Sequence, residues 1–293
     1  MTISTHGAAR VTFLDGRGDL PLIEVNTAWS EAEIYLHGAT VTHYQKHGER
    51  PLLFVSQCSR FEKGVPIRGG IPVIFPWFGK PANKPGQHGL VRQADWELRE
   101  VASPPDGSVS LRFHLPGIGD SALCPGCSVE YVIGVGDKLT AELNVTNNSS
   151  REVTFENCLH TYFAVGDITS VRIAGLKGLE HLDAVKDFAA NTEMADAIVV
   201  DHEVDRVYLN SPHTVQIRDA NWRRVIVVEK ENAKSSVVWN PWIEKSKRMQ
   251  DYGDEEYREM ICVESGNVHS NAVKLAAGAA SSLKVKYSTL GLT

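Results

Sequence analysis

The sequence predicts an all-β protein whose antiparallel sheets pack as a sandwich, with few short helices. Three observations support this fold class. Short runs rich in β-branched and aromatic residues recur about every ten residues. Gly, Pro, Asp and His-Gly turns separate these runs. Helical periodicity is weak, and the best helical segments, 244–249 and 254–258, are only a turn or two long.

The predicted strands of the N-terminal half are short and bounded by turn residues. They cover residues 11–14, 23–26, 32–36, 41–44, 52–55, 96–102, 109–115, 128–135 and 139–146. Apolar and polar residues alternate most cleanly at 139–146. The segment 65–79 is so rich in Pro and Gly that we predict neither a central strand nor a helix there.

The C-terminal half continues the same pattern. Its predicted strands cover residues 153–163, 171–174, 205–208, 214–217, 225–229, 236–239, 260–266 and 283–288. No internal repeat, low-complexity tract or long polar linker interrupts the chain. We therefore predict one domain over residues 1–293.

Composition and charge exclude several classes of protein. A chain of 293 residues can bury a large core, and its hydrophobic (42%) and charged (23%) fractions are those of an ordinary globular protein. The net charge of −6, from 36 acidic and 30 basic residues, argues against nucleic-acid binding. The first ten residues lack an apolar leader, and no apolar run approaches a membrane span. We expect a cytoplasmic monomer with no membrane partner.

The cysteines and histidines give no metal pattern. The five cysteines are Cys58, Cys124, Cys127, Cys158 and Cys262, an odd number that we interpret as reduced thiols. Cys124 and Cys127 have the spacing of a zinc half-site or a redox dithiol, but no second CxxC exists and no strand-then-helix context precedes them. We interpret the pair as a plain turn. The chain has no His-x-His ligand pattern, so we predict no metal and no cofactor.

Two predicted strands carry titratable side chains on one face. In 153–163, alternation points the apolar side chains toward a core and a polar row toward the opposite face. The polar row is Glu156, Cys158, His160 and Tyr162. In 260–266, Glu264 lies on the face opposite to Ile261. An imidazole and a carboxylate on two strands of one sheet suit an acid–base pair. The alternative is a hydrogen-bonded histidine on a solvated face and a strand-end charge facing water.

Three irregular segments add ligand-binding groups. Arg68 precedes Gly69-Gly70, which permits close backbone approach, although a tight connection with an exposed arginine is the alternative. The segment 85–93 presents Gln87, His88 and Arg92 around two glycines. Arg92 and Arg68 could clamp a phosphate, with each charge-assisted bond worth roughly 1.5–3 kcal/mol.

The third segment holds two tryptophans, Trp239 and Trp242, around Asn-Pro. Trp239 is a candidate aromatic wall for the apolar face of a sugar ring. Burial in the core is the alternative for at least one of the two.

Several blocks in order along the chain carry a resemblance to a known family. They are Arg68-Gly69-Gly70-Ile71-Pro72 with Phe75-Pro76, Gln87-His88-Gly89 with Arg92, Leu159-His160-Thr161-Tyr162-Phe163, Asp205 before Val207-Tyr208, Trp239-Asn240-Pro241-Trp242, and Cys262-Val263-Glu264. Together they resemble the hexose-6-phosphate mutarotase (glucose-6-phosphate 1-epimerase) branch of the aldose 1-epimerase family, over the span 68–266. The resemblance implies a galactose-mutarotase-like β-supersandwich.

The same resemblance implies a reaction and its residues. The reaction is the cofactor-independent interconversion of the α and β anomers of an aldohexose 6-phosphate, with D-glucose 6-phosphate as the expected substrate. Glu264 takes the position of the general base and His160 that of the general acid. The implied substrate-binding positions are Arg68, Gln87, His88, Arg92 and Asp205. One departure is Ser265-Gly266-Asn267, where relatives often have Pro-Gly-His.

Two other functions are open at this point. A carbohydrate-binding module would use the same cleft without turnover, although binding needs no proton donor and His160 with Glu264 argues against it. A glycosidase would use paired carboxylates, Glu264 with Asp205 or Glu156.

Overall fold

The computed structural model is built almost entirely of antiparallel β-strands, which confirms the all-β prediction. It describes residues 2–4 and 9–292. Residues 1, 5–8 and 293 lie outside the described residues, so the expectation that the first ten residues lack an apolar leader falls partly outside them.

The strands are named in chain order. The first twelve are β1 (Thr2–Ser4), β2 (Arg10–Asp15), β3 (Pro21–Asn26), β4 (Ser30–Tyr35), β5 (Thr40–Lys46), β6 (Val73–Ile74), β7 (Glu97–Ala102), β8 (Val109–His114), β9 (Cys127–Val135), β10 (Leu139–Asn147), β11 (Val153–Phe155) and β12 (Asn157–Leu159). The next twelve are β13 (Tyr162–Ala164), β14 (Val171–Ala174), β15 (Glu180–Asp183), β16 (Ala189–Thr192), β17 (Ala197–Ile198), β18 (Val204–Tyr208), β19 (Val215–Asp219), β20 (Arg224–Glu231), β21 (Ser235–Asn240), β22 (Met260–Asn267), β23 (Val273–Leu275) and β24 (Ala280–Gly291).

Helical structure is confined to short turns. The α-helical turn is α1 (Trp242–Ser246), which overlaps the predicted segment 244–249. Short 3-10 turns cover Arg17–Asp19, Val91–Gln93, Ile118–Asp120, Ile168–Ser170, Ala184–Lys186, Glu256–Glu259 and His269–Asn271. None of the helices in the described part of the chain has the length and apolar composition needed to cross a membrane.

Three large sheets and a two-stranded sheet of β11 and β23 form the described part of the protein. A five-stranded sheet has the order β1-β2-β3-β4-β5, and a nine-stranded sheet has the order β17-β14-β19-β20-β24-β10-β9-β8-β7. The third has the order β16-β15-β18-β21-β22-β12-β6, with β13 also paired to β22. The segment 65–79 contributes only β6 at the edge of this sheet, as expected from its proline content.

The middle of the nine-stranded sheet illustrates how alternation builds the core. Buried and partly exposed residues alternate along the whole of β9 and β10. Leu143 of β10 lies opposite Tyr131 of β9 and Leu283 of β24, and all three side chains are fully buried. Burying each such side chain contributes roughly 1.5–3 kcal/mol. The strand predicted at 139–146 is confirmed.

The predicted continuous strand at 153–163 is wrong, because the chain forms three short strands there: β11, β12 and β13. Pairing is interrupted at His160 and Thr161, where the His160 N–H donates to the Pro72 carbonyl at 3.0 Å. From Asn157 to Phe163 both faces are buried, so Cys158, His160 and Tyr162 do not lie on a solvated face. Glu156, the first residue of the polar row, is partly exposed. The predicted strand at 52–55 is also wrong, since these residues pair only through isolated bridges.

Cys124 and Cys127 are joined by a disulfide, so the prediction of reduced thiols is wrong for this pair. The predicted turn between them is present, with the Cys127 N–H donating to the Cys124 carbonyl. The other three cysteines are free.

Candidate active site

A cleft of about 330 Å³ opens over the sheet that contains β18, β21 and β22. This is the size of a small-molecule site. All eight predicted site residues line it: Arg68, Gln87, His88, Arg92, His160, Asp205, Trp239 and Glu264. The sheet supplies Asp205, Trp239 and Glu264, and irregular segments supply the arginines.

Strand register brings His160 and Glu264 together. Leu159 pairs with Ser265 and Tyr162 with Cys262, so the same antiparallel register places His160 directly opposite Glu264. Directly opposite side chains lie on one face with their Cβ atoms about 4.5–5.5 Å apart. The His160 Nε2 and Glu264 Oε1 atoms are 3.2 Å apart.

Burial sets the protonation of this pair. His160 is 7% exposed and Glu264 is 1% exposed. Desolvation, together with the Asp205 carboxylate, raises the pKa of Glu264 well above its ordinary value. Desolvation, with smaller effects from His88 and the two arginines, lowers the pKa of His160 well below its ordinary value. Burial therefore favours the uncharged form of each group.

Aromatic rings fix the orientation of the His160 imidazole. It stacks on Tyr162 with ring centroids 4.9 Å apart and an interplanar angle of 13°. The His88 and Trp239 rings meet it edge-on at 5.5 and 6.2 Å. Its Nδ1 atom is buried and has no hydrogen-bond partner among the described residues. The ring is thus held by packing and by its single contact to Glu264.

His88 is a neutral hydrogen-bonding group. Its Nδ1 accepts the Gly79 N–H at 3.2 Å. Burial and the neighbouring Arg92 lower the pKa of His88 to about 3. A neutral ring whose Nδ1 accepts must carry its proton on Nε2. That atom lies 3.0 Å from Nε2 of the Gln87 side-chain amide. Turning this amide by 180° places its oxygen there as the acceptor of the His88 Nε2–H.

The two arginines of the cleft differ in their partners. Arg68 donates through Nε and Nη2 to the Asp251 carboxylate at 3.1 and 3.0 Å, and through Nη1 to the Tyr162 hydroxyl at 3.1 Å. Arg92 donates to the Gln87 carbonyl at 2.9 Å, while its buried Nε has no partner in the described residues.

Within 4.0 Å, no described carboxylate pairs with Arg92. Its side chain is 8% exposed, and burial lowers its pKa to about 10, so it stays charged at neutral pH. Arg92 is therefore a buried cation in the cleft that lacks a counter-ion.

Asp205 and Trp239 pair across β18 and β21. The Lys245 ammonium lies 3.5 Å from the Asp205 carboxylate and 5.8 Å from the centroid of the Trp239 ring. Burial raises the pKa of Asp205. Trp242 instead packs on Tyr257, 5.1 Å between centroids, and does not line the cleft.

Several residues that line the cleft were not predicted from the sequence as site residues. They are Phe78, Lys80, Tyr162, Phe188, Lys245 and Met249. Alternation was a usable signal for Tyr162, since it points to the same face as His160. Lys245 had no such signal, because its contact with Asp205 joins α1 to β18.

Glu156 does not line the cleft. Its carboxylate accepts the backbone N–H groups of Phe78 and His269, at 2.9 and 2.5 Å. Glu156 therefore has a structural role, because it holds the backbone at Phe78 and at His269 in place. Among the described residues, no group of three or more His, Cys, Asp or Glu side chains is placed to hold a metal ion.

The sheets and the cleft define a class of protein: one of galactose mutarotase-like fold with a buried histidine–glutamate pair on the sheet face. A crystal structure described as that of a "putative mutarotase" from Salmonella typhimurium superposes with a TM-score of 0.87 at 28% identity, covering 99% of this chain and 97% of that chain. A galactose mutarotase-like protein from Clostridium acetobutylicum has a TM-score of 0.72 at 15% identity, covering 96% and 98%, a likeness of fold alone.

The chain belongs to the aldose 1-epimerase family, whose profile matches residues 21–288. A relative from Cenchrus ciliaris, named "Putative glucose-6-phosphate 1-epimerase", is 38% identical over 248 residues, covering 81% of this chain and 75% of its own. A relative of the same name from Escherichia coli (strain K12) is 33% identical over 249 residues, covering 84% and 83%. The family resemblance is confirmed, and the protein is an isomerase that interconverts sugar anomers.

Proposed function

We propose that this protein interconverts the α and β anomers of an aldohexose 6-phosphate, D-glucose 6-phosphate in the first place, with Glu264 as the base and His160 as the acid. The observation that carries the proposal is the 3.2 Å contact between Glu264 and His160 in a cleft that also holds an unpaired Arg92. The names of the relatives from Cenchrus ciliaris and Escherichia coli support the same substrate.

The reaction removes a proton from the C1 hydroxyl and supplies a proton to the ring oxygen, and both oxygens are bonded to C1. In the reactive form of the pair, His160 is protonated and Glu264 is a carboxylate. Glu264 takes the proton of the C1 hydroxyl, and His160 gives its proton to the ring oxygen. The bond between C1 and the ring oxygen breaks and the aldehyde forms. After rotation about C1–C2 the ring closes on the other face, His160 takes its proton back, and Glu264 returns a proton to O1.

Burial of the pair favours this sequence. Ring opening converts a carboxylate and an imidazolium into two uncharged groups, and low polarity stabilises the uncharged forms. A positioned proton-transfer group typically contributes about 10²–10⁴ in rate. Because free sugars already mutarotate in water, catalysis of this size suffices.

Arg92 supports the choice of a phosphorylated substrate. Its guanidinium is buried, charged and without a carboxylate partner, so an anion entering the cleft would complete its charge pairing. Lys80 lines the same cleft. Arg68 forms an ion pair with Asp251. We therefore assign it mainly to orienting the site, with a smaller role in holding the phosphate.

The proposal is tested with Glu264→Gln, measured by anomer-resolved NMR exchange of glucose 6-phosphate. We expect the exchange rate to fall by about 10²–10⁴, while titration still detects binding of the sugar phosphate. Glu156→Gln is the matched control, because it changes a carboxylate that does not line the cleft, and its rate should stay within about threefold. A near-native rate for Glu264→Gln would remove Glu264 as the base.

The alternatives make different predictions in the same experiments. A binding module would give no enzyme-dependent exchange in the unmodified protein. A glycosidase would release product from a glycoside, and its pair would be Glu264 with Asp205, since Glu156 is engaged with backbone groups.

The single domain, the monomeric state and the cytoplasmic location stay predictions.

A further inference from the structure

The two oxygens of the Glu264 carboxylate have different partners. Oε1 faces His160, and Oε2 lies 3.6 Å from the Sγ atom of Cys158. Cys158 is fully buried, and its thiol is the sole hydrogen-bond donor to Oε2 among the described residues. Proton transfer to and from Oε1 needs a fixed carboxylate plane, so the group that holds Oε2 matters for the reaction.

Gly266 provides the space in which this thiol lies. It pairs with Cys158 across β12 and β22, two residues beyond Glu264 on the same face. A Cβ atom at position 266 would lie 2.8 Å from the Cys158 sulfur and 2.4 Å from the Asn157 carbonyl oxygen. Any larger residue would therefore displace the sulfur from its position beside the carboxylate.

We propose that Cys158 is a positioning residue for Glu264, whose S–H donates to Oε2 and so turns Oε1 toward His160 and the sugar. The inference rests on the proposed function, in which Glu264 is the base. Glu264 and Cys158 lie on neighbouring strands of one sheet, so the contact is built into the strand register.

The thiol remains a donor throughout the working pH range. Burial and the Glu264 carboxyl raise the pKa of Cys158 well above its ordinary value. An S–H group is also a weak donor. It orients the carboxylate while stabilising its charged form less than a hydroxyl would, so Glu264 keeps the high proton affinity that a base needs.

Several other charged or titratable groups face this pair. Around Glu264 they are His160, Asp205 from β18, Arg92 from the 3-10 turn at Val91–Gln93, and Cys262 from its own strand. Around Cys158 they are Lys230 from β20 and Glu156, which precedes β12. These groups set the baseline of the pH profile, and the two Cys158 variants leave them unchanged.

The experiment compares Cys158→Ala and Cys158→Ser with Cys262→Ala, using enzyme-dependent exchange of glucose 6-phosphate from pH 6 to pH 10. Cys262 is an equally buried thiol on the strand of Glu264, and it donates no hydrogen bond to the carboxylate in the described structure. It therefore controls for the loss of a buried sulfur alone. Thermal unfolding of each variant is recorded alongside.

We expect Cys158→Ala to lower the exchange rate about 5- to 10-fold. In the pH profile of kcat/KM, we expect the apparent pKa of the basic limb, where the rate falls at high pH, to rise by about 0.5 to 1 unit. The basic limb reports loss of the proton shared by Glu264 and His160. Without the donor the carboxylate is less stable, so that proton is held more tightly. Cys158→Ser restores a donor, so its basic limb should lie below that of the alanine variant.

An unmoved basic limb in Cys158→Ala, or an equal change in Cys262→Ala, would overturn the proposal. If Cys158→Ala fails to fold, a basic limb of Cys158→Ser that coincides with that of the unmodified enzyme would overturn it instead. Failure of the proposed function is separate, because it would appear as a near-native rate in Glu264→Gln. An inactive Glu264→Gln with an unmoved Cys158→Ala profile would reject only the role of Cys158.

Discussion

Replacing Arg92 by methionine tests the two effects that we propose for it, on substrate choice and on stability. Methionine keeps most of the apolar stem and removes the charge. One charge-assisted interaction with a phosphate is worth roughly 1.5–3 kcal/mol, which corresponds to a loss of about 10- to 150-fold in kcat/KM for glucose 6-phosphate. Exchange of unphosphorylated glucose should change by less than about threefold, because the proposed acid and base, His160 and Glu264, are unchanged.

The same substitution should stabilise the protein in the absence of substrate. Burial lowers the pKa of Arg92 from 12.5 to about 10, and at 1.36 kcal/mol per pKa unit the buried charge costs about 3 kcal/mol. The folded pKa lies below the unfolded one, so this cost is fully present at pH 7 and is relieved only as the pH rises through about 10. Loss of the bond to the Gln87 carbonyl offsets about 1 kcal/mol.

Two measurements test the expected effects of Arg92→Met on substrate preference and on stability. Anomer-resolved NMR exchange gives kcat/KM for glucose 6-phosphate and for glucose, and urea unfolding at pH 7 gives the free energy of unfolding. Arg172→Met is the control, because Arg172 is exposed and lies outside the cleft. An Arg92→Met variant that is less stable than the unmodified protein, with an unchanged ratio between the two sugars, would refute the reasoning for both effects.

Two further predictions concern the interior. Burial lowers the pKa of Lys230 to about 7, so the free energy of unfolding should rise as the pH increases from about 7 toward 10.5, the value in the unfolded chain. Lys230→Met should abolish this rise. Urea unfolding at pH 6.5 and pH 9 gives the change in the free energy of unfolding between the two pH values. An equal change in the variant and in the unmodified protein would contradict the prediction. Leu143→Ala leaves a cavity in the nine-stranded sheet and should lower the free energy of unfolding by about 2–5 kcal/mol. Its exchange rate at 25 °C should be unchanged, and a loss of activity without a loss of stability would contradict the cavity argument.

The strands that the sequence predicted well are those whose local pattern matches their environment. β10 alternates strictly because one of its faces is buried, and its predicted and observed bounds nearly coincide. β16 (Ala189–Thr192) was not predicted, because all four of its residues are exposed and alternation has no cause there. The segment 153–163 has strand-like residues throughout, yet a hydrogen bond from His160 to the Pro72 carbonyl interrupts its pairing. That acceptor lies 88 positions earlier in the chain, beyond the reach of any local pattern.

The sequence by itself determined the all-β class and, through several ordered motifs, the family, and it named the residues of the candidate site. These follow from side-chain period, turn chemistry and residue identity, which are local properties of the chain. Only the tertiary structure decided that His160 lies opposite Glu264, that Cys158 holds the second carboxylate oxygen, and that Asp251 pairs with Arg68. Strand register and long-range contacts set these distances and charges, since they join residues that lie about one hundred or more positions apart.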